Sequence, residues 1–228
     1  MKSTRKITVL LAEDHMIVRE GLRKLLEVES DIEVVGEATN GRQAVTMIRK
    51  LRPDVVIMDI AMPLLNGLEA TEQVRKTMPD TKVLILSAHS DDAYVERVMA
   101  LGAVGYLIKQ TSANFLSEAI REVQKGNTFF SPEIARKLRH QNQKSLDRKG
   151  RIKTKVTRMS SRELEVIQLI AEGLANKQIA AELGISTKTV EKHRDHLMQK
   201  LDIHDTAGLT RYAISSGIIE SSVQVTIV

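Results

Sequence analysis

The chain has 228 residues, 42% hydrophobic and 28% charged, with no cysteine and a formal net charge of +5, and the lack of cysteine excludes disulfides and thiolate metal sites. No apolar run approaches the roughly 18 residues that cross a bilayer, and the apolar segment at residues 7–12 is too short for a signal peptide, so we expect a cytoplasmic protein without a membrane partner. The length exceeds that of most single domains and predicts two.

Short β-rich apolar runs alternate with amphipathic segments over residues 1–130. The sequence predicts five strands: Ile7–Leu11, Ile32–Glu37, Val55–Met58, Val83–Leu86 and Val104–Ile108. The segments between them repeat apolar residues at helical spacing. Near-continuous apolar strands separated by helices are typical of a parallel sheet covered on both faces. We therefore predict an α/β domain with a doubly wound, five-stranded parallel sheet of the flavodoxin-like kind.

Polar side chains follow four of these strands, where each strand ends. They are Glu13 and Asp14, Asp59, Ser87, and Lys109. A single residue of this kind is most often a turn residue or a helix cap. In a parallel sheet, however, ligands bind beyond the carboxyl ends of the strands, and five such residues at matching ends predict a ligand site.

Three carboxylates at one edge repel one another unless a cation holds them together. Oxygen ligands without cysteine or histidine favour Mg²⁺. With Mg²⁺ bound, Asp59 could stay ionised and act as a nucleophile toward a phosphoryl group. Ser87 and Lys109 would then contact phosphoryl oxygens, Lys109 as a point charge.

Four motifs in this half, "AEDH", "MDIAMPLLNG", "LILSAHS" and "GAVGYLIKQ", resemble the receiver domain of bacterial two-component response regulators. The resemblance implies that Asp59 accepts a phosphoryl group from a sensor histidine kinase. It also implies that Glu13, Asp14, Asp59 and the backbone carbonyl of Ala61 hold Mg²⁺. Tyr106 would be the aromatic residue that turns inward on activation. Glu13 departs from the family, which has Asp most often at that position.

Basic residues concentrate in the middle of the chain, where residues 131–158 hold ten Lys and Arg against two acidic residues. We interpret this segment as a basic linker, flexible from about residue 140. A solvated spacer is the favoured interpretation, and non-specific attraction to DNA phosphates is the alternative.

Residues 159–217 are predicted to be helical. Ser160 and Glu163 form a capping-box pattern, and Gly173 ends the first helix. A short helix at Asn176–Leu183 is followed by the turn Gly184–Ser186 and a helix at Thr187–Lys200. Two short helices joined by a glycine turn suit a reader of the DNA major groove. The net charge of −2 over residues 159–228 argues against non-specific binding of nucleic acid.

The stretch "SSRELEVIQLIAEGLANKQIAAELGISTKTVEKHRDHLMQKL" resembles the LuxR-type DNA-binding domain, so that the whole chain resembles a NarL/FixJ-type response regulator. The resemblance places Glu191, Lys192 and Asp195 over base edges. It places another set near phosphates: Lys177, Ser186, Lys188, Thr189 and His193. For His193, a packing role on the apolar face is slightly favoured. Dimer contact would use the last helix, at about 206–216.

We therefore predict a phosphorylation-switched transcription factor that binds DNA as a dimer and has no turnover activity beyond slow, Mg²⁺-dependent transfer to and from itself. An aspartyl-phosphate phosphatase is the first alternative, but it typically has a second acid where this chain has Ala61. A DNA-binding regulator that ignores phosphate and uses its receiver only for protein contacts is the second, and Glu13 is its one supporting feature. The tail at 218–228 receives no functional interpretation.

Overall fold

The computed structural model describes residues 5–88, 92–136 and 159–219. These residues fall into two compact units, one before and one after the gap at 137–158. Most of the predicted linker therefore lies outside the described residues, as does most of the predicted tail. Among the helices described here, none has the length and apolar character needed to cross a bilayer.

The first unit is built on a parallel sheet with the strand order β2-β1-β3-β4-β5-β6. Its strands are β1 Ile7–Ala12, β2 Ile32–Ala38, β3 Val55–Asp59, β4 Lys82–Ser87, β5 Gly105–Ile108 and β6 Phe129–Phe130. The predicted α/β class is confirmed, with six strands in place of five. Strand β3 is buried along its whole length, which is why its sequence lacks polar alternation.

Five helices connect the strands and cover both faces of the sheet. They are α1 Met16–Glu27, α2 Gly41–Leu51, α3 Gly67–Thr77, α4 Asp92–Leu101 and α5 Ser112–Gln124. Successive side chains of β1 point to opposite faces of the sheet and pack in different cores. Leu10 packs with residues of α2 and α3, and Leu11 packs with residues of α1 and α5. This alternation holds the sheet rigid between two apolar layers.

The edge of the sheet differs from the prediction, because a sixth strand pairs with β5. Phe129 and Phe130 pair in parallel with Gly105 and Tyr106 of β5. A two-residue strand has too little pattern of its own to be recognised from sequence, because its identity depends on the partner strand.

The packed unit also continues beyond the predicted boundary at residue 130. The backbone N–H of Ser131 donates to the carbonyl of Tyr106 at 3.0 Å, residues 132–136 are helical, and Ile134 is fully buried in the core. The start of the segment predicted as linker is therefore part of the first unit.

The second unit contains four helices: α6 Ser161–Ala171, α7 Asn176–Leu183, α8 Thr187–Leu201 and α9 Thr206–Ser215. The predicted capping box is present, since Ser160 accepts from the backbone of Glu163 and Glu163 accepts from the backbone of Ser160. Gly184 has φ +63° at the end of α7, where glycine is favoured. Ser186 then caps α8 by accepting from the N–H of Thr189.

Glu163 also joins the beginning of α6 to the end of α8. Its Oε2 lies 2.8 Å from Lys200 Nζ. Burial raises the pKa of Glu163, but hydrogen bonds from Lys200 and Ser160 outweigh burial and place this pKa below its usual range. Glu163, which belongs to the capping box of α6, thus also fixes the position of α8.

Gly67, the first residue of α3, allows the helix to approach the end of β3. A Cβ atom on Gly67 would overlap the backbone carbonyl of Asp59, whereas a Cβ on Gly21 in α1 would meet no atom within 4 Å. We expect Gly67→Ala to lower the free energy of unfolding of the first unit by about 1–3 kcal/mol, the usual cost of overpacking. Scanning calorimetry of the full chain measures this change.

Gly21→Ala is the matched control, and it should stabilise the same unit by up to about 1 kcal/mol because alanine is the better helix former. Equal effects of the two substitutions would contradict the close packing of α3 against β3.

Candidate functional site

The sheet brings the predicted strand-end residues to one edge. Ala12 pairs with Met58, so Glu13 follows β1 directly beside Asp59, the last residue of β3. Asp59 pairs in turn with Leu86, which places Ser87 one position beyond it on β4. Ser87 pairs with Ile108, and Lys109 follows. The register of four neighbouring strands therefore assembles the site.

Lys109 binds two of the carboxylates. Its Nζ lies 3.0 Å from Asp59 Oδ1 and 2.9 Å from Glu13 Oε2. Asp59 and Glu13 are each only 1% exposed, so this cation neutralises charge that water cannot reach. An isolated carboxylate in such surroundings would be strongly destabilised.

Burial and charge shift the pKa of these groups in the directions expected from their surroundings. Burial, together with the negative charge of Glu13, raises the pKa of Asp59 to about 7, against the opposing effect of Lys109. Burial lowers the pKa of Lys109, but the charges of Asp59 and Glu13 outweigh it and raise this pKa above its usual value. Lys109 therefore offsets only part of the effect that burial and Glu13 have on Asp59.

Two acidic oxygens lie beside cationic or imidazole nitrogens, since Glu13 Oε2 is 2.9 Å from Lys109 Nζ and Asp14 Oδ1 is 3.0 Å from His15 Nδ1. The buried Asp59 Oδ2 has no hydrogen bond among the described residues. Ligand atoms of the three acids and His15 all lie within 4.8 Å of one another. Carboxylate oxygens in this arrangement are the donors that a hard divalent cation prefers. The residues present thus fit a divalent cation.

The other predicted members of this site lie on or shortly after the same strands. Ser87 is 1% exposed at the end of β4, and Tyr106 on β5 is fully buried in the core. Ala61 follows Asp59 by two residues and is partly exposed. Asn66 begins α3 by accepting from the N–H of Glu69, which closes the loop that contains Ala61.

The predicted DNA-contacting residues lie on α7, α8 and the turn between them. Six of them are exposed: Lys177, Ser186, Lys188, Glu191, Lys192 and Asp195. Thr189 and His193 are partly buried. His193 is therefore not a fully buried packing residue. The Ser186 hydroxyl caps the N-terminus of α8. This cap fixes the start of the helix whose exposed face is charged.

Arg194 is a structural residue that sequence reasoning missed. Its Nη1 donates to Asn176 Oδ1 at 3.1 Å, and its Nη2 donates to Thr206 Oγ1 at 2.9 Å. Asn176 begins α7 and Thr206 begins α9. Arg194 on α8 therefore joins three helices, and no local pattern in the sequence signals such a role.

Two family models match the chain, one for each unit. The model described as "Response regulator receiver domain" matches residues 9–121, and the model described as "Bacterial regulatory proteins, luxR family" matches residues 157–213. The first match includes the acidic residues around Asp59, and the second includes the predicted DNA-contacting residues.

Relatives and solved structures match nearly the whole chain. The transcriptional regulatory protein DegU of Brevibacillus brevis is 34% identical over 94% of this chain and 96% of its own length. The response regulator protein VraR of Staphylococcus aureus is 35% identical over 94% of this chain and 99% of its own. A structure of the two-component response regulator RcsB with DNA is 29% identical and matches 93% of this chain and 99% of its own, with a TM-score of 0.57.

The fold and site define a receiver domain joined to a helix-turn-helix domain. The chain belongs to the two-component response regulators of the NarL/FixJ type. It is accordingly a phosphorylation-regulated, DNA-binding transcription regulator, and the family is one of regulators, not of typical enzymes. The predicted family and function are confirmed.

Replacing Arg194 tests its role in holding the helices of the second unit. We expect Arg194→Met to lower the stability of this unit by about 1.5–3 kcal/mol, because the two lost hydrogen bonds come from a charged donor. Thermal unfolding of the full chain measures the change. Arg211→Met on the exposed face of α9 is the control, and a loss of the same size there would show that Arg194 has no special role.

Proposed function

We propose that Asp59 is the phosphoacceptor and that a sensor histidine kinase is the donor. The observation that carries this proposal is the pairing of a 1% exposed Asp59 with Lys109 beside two further carboxylates. Burial makes the carboxylate poorly solvated, and the strand end fixes its direction. The family membership of the chain supports the same role.

In the proposed reaction an oxygen of Asp59 forms a bond to phosphorus while the phosphorus–nitrogen bond of the kinase's phosphohistidine breaks. The imidazole leaves and takes its proton from solvent. We further propose that Glu13, Asp14, Asp59 and the carbonyl of Ala61 hold Mg²⁺, which supplies positive charge for the phosphoryl oxygens when bound. Lys109 supplies a second positive charge from its buried position beside Asp59.

We propose that Ser87 and Tyr106 change position on phosphorylation and so alter the surface of the first unit. Ser87 ends β4, one position beyond the residue that pairs with Asp59, and we propose that its hydroxyl donates to a phosphoryl oxygen. Tyr106 lies on the neighbouring strand β5, with its side chain buried. Phosphorylation can act as a switch here only if the phosphoryl group binds two arrangements of these side chains with different affinity.

For the second unit we propose that α8 enters the major groove and that the active form is a dimer. Glu191, Lys192 and Asp195 are exposed on α8, and lysine and carboxylate side chains can read guanine and cytosine edges respectively. A solved structure of RcsB dimers bound to DNA supports dimeric DNA binding by similarity. Lys177, Ser186, Lys188, Thr189 and His193 are proposed to lie near phosphates.

A small phosphodonor with Mg²⁺ tests the acceptor. We expect intact-mass measurement to show one added phosphoryl group on the unchanged chain and none on Asp59→Asn, because the amide is a poor nucleophile. Asp80→Asn, at an exposed acid remote from the site, should retain the adduct. No adduct on the unchanged chain would instead favour the regulator that uses its receiver only for protein contacts.

Two lysines of α8 can be compared as base and phosphate contacts. On a site selected from random DNA, Lys192→Ala should cost roughly 1–3 kcal/mol of specific binding and relax the preference at one base pair. Lys188→Ala should weaken binding to all sequences alike and reduce the salt dependence. Fluorescence anisotropy at several salt concentrations measures both, and the same behaviour in both variants would demote Lys192 to a phosphate contact.

A further inference from the structure

One arginine of α1 holds the backbone of the loop that carries two of the acidic residues. Arg19 Nη1 donates to the carbonyl of Glu13 at 2.8 Å and to the carbonyl of Asp14 at 3.3 Å. The Arg19 side chain is 14% exposed, so little water competes for these bonds. Arg19 therefore ties α1 to the backbone that follows β1.

A carboxylate on β2 orients the same guanidinium group. Glu37 Oε2 accepts from Arg19 Nε at 3.1 Å. The guanidinium is planar, and the directions of its donors are fixed relative to one another. Acceptors on two different elements, a carboxylate on β2 and the carbonyls after β1, therefore fix both the position and the plane of the group.

The backbone of Glu13 is held on both sides of its Cα atom. Its N–H donates to the carbonyl of Ala38 at 3.0 Å, and its carbonyl accepts from Arg19. Because a residue has only two soft backbone dihedral angles, these two bonds restrict the direction in which the Glu13 side chain leaves the chain. That side chain reaches Lys109, with Oε2 2.9 Å from Nζ.

We propose that Arg19 is a positioning residue for phosphoryl transfer to Asp59. It acts through the backbone, by holding the carboxylates of Glu13 and Asp14 where the proposed Mg²⁺ site needs them. Groups that orient metal ligands in this way typically change metal affinity or activity by about 10–100-fold. The inference rests on the proposed function, because it takes Asp59 as the acceptor.

The Mg²⁺ dependence of phosphorylation tests the proposal. The rate of adduct formation on the full chain is followed by intact mass, at a fixed concentration of a small phosphodonor and increasing MgCl₂. We expect Arg19→Met to raise the Mg²⁺ concentration that gives half the maximal rate by about tenfold. The maximal rate itself should be nearly unchanged, because Asp59 and Lys109 keep their contact.

Arg23→Met is the matched control. Arg23 lies one turn further along α1 and donates to Glu37 at 3.0 Å and to Glu27 at 2.8 Å. Its replacement removes a positive charge from the same helix and a partner of the same Glu37, but it leaves the bonds of Arg19 to the loop in place. The Mg²⁺ dependence of this variant should equal that of the unchanged chain.

Hydrogen exchange of the full chain, measured by mass spectrometry without a phosphodonor, gives a readout independent of transfer. Arg19→Met should speed exchange at residues 13–15 and leave β3 and β4 unchanged, because the loop is loosened locally. Arg19→Lys keeps the charge but not the planar set of donors, and it should show both changes at a smaller size. This milder variant keeps the test decisive if Arg19→Met does not fold.

Three outcomes would overturn the proposal. An unchanged Mg²⁺ dependence in folded Arg19→Met would show that the loop needs no such support. An equal shift in Arg23→Met would attribute the effect to the charge of α1, and faster exchange throughout the first unit would make Arg19 a structural residue only. Failure of the proposed function is distinct, since the unchanged chain would then form no adduct, and this inference would fail with it.

Discussion

The contact of Lys109 with Asp59 and Glu13 is the constraint on which the rest of the first unit depends. Three acidic side chains meet at one edge of the sheet, two of them excluded from water, and their repulsion would open the edge without a cation. Lys109 reaches them from a different strand, 96 residues from Glu13 in the sequence. The pocket therefore exists only when β1, β3 and β5 are in register, and the reactive group is assembled by the core of the fold.

The same contact explains how a small chemical change can affect a whole domain. The phosphoryl group proposed for Asp59 would add negative charge and oxygen acceptors beside Lys109. Lys109 forms ion pairs with both Glu13 and Asp59, so a new acceptor beside it would compete for its ammonium group. Tyr106 is buried on β5, the strand that Lys109 follows, and Gly67 packs α3 against the backbone of Asp59. Side chains that move at the pocket would therefore contact tightly packed neighbours.

The sequence predicted the parts of the molecule that follow local rules. The strands read as apolar runs, α7 has the predicted bounds, and the capping box at Ser160 and the turn at Gly184 follow from side-chain and backbone chemistry. The parts that it did not predict depend on distant partners. Strand β6 exists through its pairing with β5, Ile134 is buried in a core built from distant elements, and Arg194 is recognisable only when α7 and α9 surround it. His15 stands beside two acids in "AEDH", but its contacts with Glu13 and Asp14 are seen only in the structure.

We expect phosphorylation of Asp59 to change the affinity of the other unit for DNA. The direct measurement is the affinity of the full chain for a selected DNA site, by anisotropy at fixed salt, before and after treatment with a phosphodonor and Mg²⁺. Binding should be tighter after treatment, by roughly 5–150-fold as is typical of coupled sites, and Asp59→Asn should show no change. An unchanged affinity in a sample whose mass shows full phosphorylation would contradict the proposed switch.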